Sequence, residues 1–181
     1  DARNWTDIYT VKYKILDYAG VKNHAELSVP FDSACENVSL ISASVTSPDG
    51  KIHQINQSEI HIMDSGKTSS APAYAPEKIL TVKFPHIVPQ SVIEYKLEIK
   101  HKNMPFFYDT LTFASKNDIL LKEIVLKNLP RSFNCSTLPQ SLEVIEKGND
   151  ITLRKRNIRR IDTEIMQPPL AMFNDSVFCS T

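Results

Sequence analysis

Glycine is the first scarcity, with four in 181 residues against eleven prolines. No glycine-rich phosphate loop and no G-x-S-x-G elbow occurs, so two common backbone devices for nucleotide binding and serine-hydrolase chemistry are missing. Cysteine is nearly absent as well, and Cys35, Cys135 and Cys179 show no CxxC spacing. That excludes reading a zinc knuckle or a redox pair from them; one disulfide plus a free thiol stays open. An excess of one charge is lacking too, because Lys plus Arg and Asp plus Glu number 21 each. No overall field therefore draws the chain to nucleic acid or to an anionic membrane. No apolar run approaches the roughly 18 residues of a membrane-spanning helix. No charged start followed by an apolar stretch marks a signal peptide, so the chain reads as a soluble, mature protein or an excised piece of one.

What is present is a composition with 41% hydrophobic residues, enough for one packed core, and it predicts a single domain over residues 1–181. With glycine rare, turns fall to Pro, Asn, Asp and Ser. Between them lie short runs of Val, Ile, Thr, Tyr and Phe with a period near two, which predicts an all-β fold. The expected architecture is an antiparallel β-sandwich of about 10–12 strands in two packed sheets. Strands are expected at Asp7–Leu16, His24–Pro30, Val38–Ser47, Lys51–Ile55, Lys78–Phe84, Ser91–His101, Phe106–Phe113, Ile119–Leu129, Leu142–Glu146, Ile151–Arg156, Ile158–Ile165 and Val177–Cys179.

Two turns carry their own chemistry. "SPDGK" at Ser47–Lys51 puts Pro where φ near −65° is wanted and Gly where φ is free to be positive, so its flanking strands should form a hairpin. "KGND" at Lys147–Asp150 should do the same. In "SVIEYKLEIKH", Ile93, Tyr95, Leu97 and Ile99 share one face while Glu94, Lys96, Glu98 and Lys100 share the other. That alternation describes a sheet with one core face and one wet face, not a catalytic carboxylate pair. "NDILLKEIVLKNLP" is rich in β-branched residues and bounded by Pro130, and reads as strand. The stretch Asp64–Pro76, rich in Ser, Ala and Pro, reads as a long loop.

The search for a reaction centre finds none. Asp32 and Glu36 flank Cys35 and should raise its thiol pKa, and Cys135 and Cys179 have no neighbouring base in sequence. His53 and His61 are separated by a polar stretch containing Glu59 and read as strand decoration, so no metal and no cofactor is expected. His86 sits in the "FPHIVP" turn as a rim residue. One charge feature stands out in "RKRNIRR", where Arg154, Lys155, Arg156, Arg159 and Arg160 cluster; strand alternation would split them between two faces, as a guarded edge or a docking site for an acidic surface. Five Asn-x-Ser/Thr triplets, at Asn4, Asn37, Asn56, Asn134 and Asn174, point weakly to an extracytoplasmic surface.

Read in order, "VKYKILDYAG" at Val11–Gly20, "SPDGKI" at Ser47–Ile52, "LTVKFPHIVPQSVIEYKLEI" at Leu80–Ile99 and "DTEIMQPPL" at Asp162–Leu170 resemble DUF3857. This is a β-rich domain of unknown function found ahead of transglutaminase-like, cysteine-protease-fold domains in bacterial proteins. The most specific match is Phe84-Pro85 followed by Ile93-Glu94-Tyr95; Gln90 stands where the family's turn commonly carries Gly. The resemblance implies a non-catalytic accessory domain, the N-terminal part of a longer protein, that docks on or positions a following transglutaminase-like domain. It also implies a periplasmic or secreted location. The alternative is a free-standing module that binds carbohydrate or a cell-envelope polymer. Across these readings the expected binding residues are Arg154, Arg156, Arg159, Tyr74, His86 and Phe107, with Phe106 and Tyr108 as further aromatic residues to test; of the adjacent Phe106 and Phe107, one should point into the core.

Overall fold

The computed structural model describes residues 3–65, 77–136, 138–161 and 176–181. The chain divides into two compact units, Asn4–Met104 and the stretch from Pro105 to Thr181. Its strands pair antiparallel throughout, in four sheets among the described residues.

The first unit contains β1 (Trp5–Lys14), α1 (Tyr18–His24), β2 (Glu26–Asp32), β3 (Glu36–Thr46), β4 (Ile52–Gln54), β5 (Ile60–Asp64), β6 (Glu77–Lys83) and β7 (Val92–His101). One sheet runs β1-β7-β3-β4 and the other β2-β6-β5. The alternation of β7 decides which way its sheet faces: Ile93 and Leu97 are buried, and their cross-strand partners Val45 and Leu40 lie on the same side. Leu80, Val82 and Phe84 bring the second sheet's residues to the same core cluster. Each fully buried aliphatic side chain there contributes about 1.5–3 kcal/mol of transfer free energy. A bulge between Leu40 and Ser42 takes Ile41 out of the ladder, and the inward phase resumes at Ala43 and Val45.

The second unit contains β8 (Tyr108–Thr112), β9 (Ile119–Leu126), β10 (Asn134–Cys135), β11 (Glu143–Lys147), β12 (Asp150–Ile158) and β13 (Ser176–Ser180). Its sheets run β10-β13-β8 and β11-β12-β9. Leu111, Phe113, Leu153, Ile158 and Val177 form its own core. A disulfide joins Cys135 on β10 to Cys179 on β13, leaving Cys35 as the free thiol. Lys122 of β9 is half-buried here: its Nζ donates to the Thr112 carbonyl at 2.6 Å and lies 5.7 Å from the Phe113 ring centroid. Desolvation lowers its pKa, partly offset by Asp109.

Both expected hairpins are present. The Ser47 N–H donates to the Lys51 carbonyl at 2.9 Å and Gly50 adopts φ +85°, while Gly148 adopts φ +63° between β11 and β12. "NDILLKEIVLKNLP" is strand β9. Other elements escaped the period-two reading. The α1 helix is only seven residues long and depends on Asp17, whose carboxylate accepts the Gly20 N–H at 2.7 Å. A Cβ on Gly20 would stand 3.3 Å from Ile15 and 3.4 Å from that carboxylate, so glycine fits the close approach. Strand β5 falls where no strand was expected, and β12 is one continuous strand ending at Ile158. The expected strand Ile158–Ile165 does not form over 159–161, and its remainder lies outside the described residues, as does 66–76 of the expected long loop.

The turn entering β7 explains the missing glycine. Pro89 and Gln90 occupy the middle of a turn closed by the Ser91 N–H donating to the Val88 carbonyl at 3.0 Å. Gln90 has φ +73°, the left-handed conformation a type II turn requires at that place. Its backbone N–H donates to the Ile15 carbonyl at 2.6 Å and its side-chain amide to the Leu16 carbonyl at 3.2 Å. These bonds offset the steric cost of a Cβ in that region. Gln90→Val should therefore lower stability by about 1–2 kcal/mol in urea denaturation, whereas Gln90→Gly should be milder. Replacing Cys135 and Cys179 by Ser opens a loop with a sequence separation of 44 and should cost up to about 4 kcal/mol in the chain-entropy account, read from the same curves under non-reducing conditions.

Candidate functional site

The inward phase of β7 does not stop at Ile99. His101 follows on the same face, and it is paired in register with Trp5 of β1 on one side and Glu36 of β3 on the other. The Trp5 and His101 rings stack with centroids 4.5 Å apart at 18°. The His101 Nε2 lies 2.9 Å from the Asp7 carboxylate, and Nδ1 lies 3.2 Å from Glu36 Oε1, within ion-pair range but without hydrogen-bond geometry. The imidazole is only 11% exposed. Both ring nitrogens are thus directed at carboxylates, in a row that crosses the end of the sheet.

An open cleft of about 420 Å³ adjoins this row and includes residues of both sheets of the first unit. Phe31 and Ile62 supply apolar surface, Glu36, Lys78 and Lys102 supply charge, and Cys35 supplies a thiol. Asp32 and Glu36 shape the turn before β3: the Asp32 N–H donates to Glu36 Oε2 at 2.9 Å and the Ala34 N–H to Asp32 Oδ1 at 2.9 Å. Desolvation raises the Cys35 pKa, and the charges of Asp32 and Glu36 raise it further. The thiol form is favoured there, and thiolate nucleophilicity is suppressed.

The expected binding residues are not brought to one place. Arg154 is held between two glutamates of neighbouring strands: Nη2 lies 2.6 Å from Glu123 and Nη1 3.3 Å from Glu143. Arg156, Arg159 and Arg160 of the basic run are exposed. His86 is exposed in its turn at φ +63° and stacks on His53 of β4 with centroids 4.7 Å apart. Phe107 packs against Phe133 at 6.0 Å in the second unit's core. Phe107 is half-buried there, while its neighbours Phe106 and Tyr108 are exposed. Tyr74 lies outside the described residues. His53 and His61 sit on strands of different sheets. The row of Trp5, Asp7, Glu36 and His101 was missed, although extending the Ile93-Tyr95-Leu97-Ile99 parity by one step finds His101.

These features define an all-β domain with antiparallel sheets and no helix, among the described residues, long and apolar enough to cross a membrane. The DUF3857 family, a domain of unknown function with a solved structure, matches residues 1–161, and the chain belongs to that family. No curated protein matches the chain. Among solved structures, a proposed protease from Parabacteroides distasonis ATCC 8503 shares the fold, with a TM-score of 0.81 at 14% identity. The match covers 98% of this chain and 37% of that one, so the chain spans well under half of its structural relative.

Trp5 is the only tryptophan, which makes its emission a reporter of the row. His101→Ala removes the stack on Trp5 and the contact with Asp7; it should lower stability by about 1–2 kcal/mol and change Trp5 fluorescence. The raised Cys35 pKa means less thiolate at a given pH, so iodoacetamide should alkylate Cys35 more slowly than free cysteine at pH 8. Asp32→Asn should speed the reaction, and a rate equal to that of free cysteine in the parent protein would contradict the thiol's environment.

Proposed function

We propose that the chain is a non-catalytic accessory domain that docks on or positions a transglutaminase-like, cysteine-protease-fold domain of the same polypeptide. The observation that carries this reading is the coverage: nearly the whole chain corresponds to 37% of a proposed protease, leaving most of that chain for other parts. The chemistry agrees. Burial and the charges of Asp32 and Glu36 raise the pKa of the free thiol, and both nitrogens of His101 lie within ion-pair distance of carboxylates. The Cys135–Cys179 disulfide favours an oxidising compartment, which supports a periplasmic or secreted location.

Arg156 and Arg159 are the cations offered to an acidic docking surface, because Arg154 is already neutralised within its sheet. Rim charges of this kind act mainly on association rate and salt dependence.

The test is the intact mass of the protein in its source cells, followed by activity assays on the separated parts. A mass well above 20.5 kDa, with peptidase or acyl-transfer activity in the added segment and none in residues 1–181, is the expected result. A mass near 20.5 kDa, or activity in the 181-residue chain that is lost in Cys35→Ser, would overturn the reading. Arg156→Glu with Arg159→Glu should weaken binding to that segment about tenfold at low salt and less at high salt; unchanged binding would remove this surface from the interface.

A further inference from the structure

The sheet β10-β13-β8 buries one face, through Leu111, Val177 and Cys179. Strand alternation puts Tyr108, Thr110 and Thr112 of β8 on the opposite face, together with Ser176, Phe178 and Ser180 of β13. The register pairs Tyr108 with Ser180 and Thr110 with Phe178. Tyr108 and Phe178 are therefore diagonal neighbours, about 7–8 Å apart at the backbone and within reach of one ligand. They are 59% and 46% exposed.

Around the rings stand hydroxyl groups. Thr112 Oγ1 and Ser176 Oγ lie 3.2 Å apart, Thr110 is paired with Phe178, and Ser180 lies between Tyr108 on β8 and Asn134 on β10. Among the described residues no charged side chain projects from this face by strand parity, in a chain where 23% of residues are charged. The other sheet of the same unit differs: its outer face carries Glu123, Glu143, Arg154 and Arg156. Exposed aromatics among neutral donors and acceptors match the surface of a sugar chain, whose C–H faces stack on rings while its hydroxyls exchange hydrogen bonds. Among the described residues an acidic polymer finds no cation on this face, and an extended peptide would pair with a strand edge through its backbone without needing the two rings.

We propose that this face binds a neutral polysaccharide, with sugar rings stacked over Tyr108 and Phe178 and the flanking hydroxyls and the Asn134 carboxamide reading the sugar hydroxyls. The proposal is independent of the accessory reading, since a glycan-binding face can serve a domain with or without a catalytic neighbour.

The test is affinity electrophoresis of the full chain through gels containing β-glucan, xylan or galactomannan, with alginate as the acidic comparison. Retardation by at least one neutral polymer is expected, weakened about tenfold by Tyr108→Ala or Phe178→Ala, retained in Phe178→Trp and unaffected by Arg156→Glu. Thermal melting of each variant separates lost binding from lost folding. No retardation by any neutral polymer, retardation by alginate alone, or retardation that survives both alanine substitutions would overturn the proposal. So would concentration-dependent self-association abolished by Phe178→Ala, which would make a second copy of the chain the occupant.

Discussion

Strand β7 is hydrogen-bonded along its length on both sides, to β1 and to β3, and this double pairing ties three strands to one choice of face. A slip of one residue would carry Glu94, Lys96 and Glu98 into the space held by Ile93, Tyr95 and Leu97, at several kcal/mol for each charge without a partner. The same parity continues to the last residue of the strand and delivers His101 to the inner side. The row of Trp5, His101 and Glu36 is thus a consequence of the register that builds the core. Its polar character sits at the end of the sheet, beside an open cleft, where His101 Nε2 meets Asp7 and Glu36 accepts the Asp32 N–H.

Much of this was legible from period-two patterning, because strand faces are a local property of the sequence. The hairpins at Ser47–Lys51 and Lys147–Asp150 were legible for a similar reason: a glycine at a turn position announces its backbone. Gln90 shows where that signal fails. A left-handed residue without the glycine label is supported by hydrogen bonds to Ile15 and Leu16, residues that only the fold brings near. Helix α1 fails for a different reason, since seven residues held by an Asp17 cap give too few turns for a 3.6-residue period to show. The pairing of Cys135 with Cys179, across a separation of 44, is likewise a property of strands β10 and β13 lying side by side. The grouping of buried residues into two clusters reflects which sheets face each other within each unit, and no local pattern records that.

Charge counting shows the same limit from another direction. Five cations within Arg154–Arg160 suggest a basic surface, yet the register sets Glu123 and Glu143 on either side of Arg154, 31 and 11 residues away in sequence. Cross-strand pairing of this sort engages Arg154 within its sheet and leaves Arg156, Arg159 and Arg160 as the exposed cations of the run. Lys122 illustrates the complementary case. It sits inward, beside the Phe113 ring and the Thr112 carbonyl, so its charge is met by a backbone oxygen and desolvation lowers its pKa.

The two outer faces of the second unit follow from these pairings and ask different things of a partner. On β11-β12-β9 each strand contributes charge, and the Arg154–Glu contacts on its outer face are already made, so a ligand gains mainly at the exposed cations beyond Arg154. On β10-β13-β8 the described residues put no charge on the outer face, and the surface they form there consists of rings, hydroxyls and the Asn134 carboxamide. Aromatic side chains left exposed at diagonal positions forgo the burial that stabilises Phe107 and Phe113 in the same unit. Strand parity sets Tyr108 and Phe178 outward once Leu111, Val177 and Cys179 face the core, and the pair of exposed rings is what that face offers to a partner.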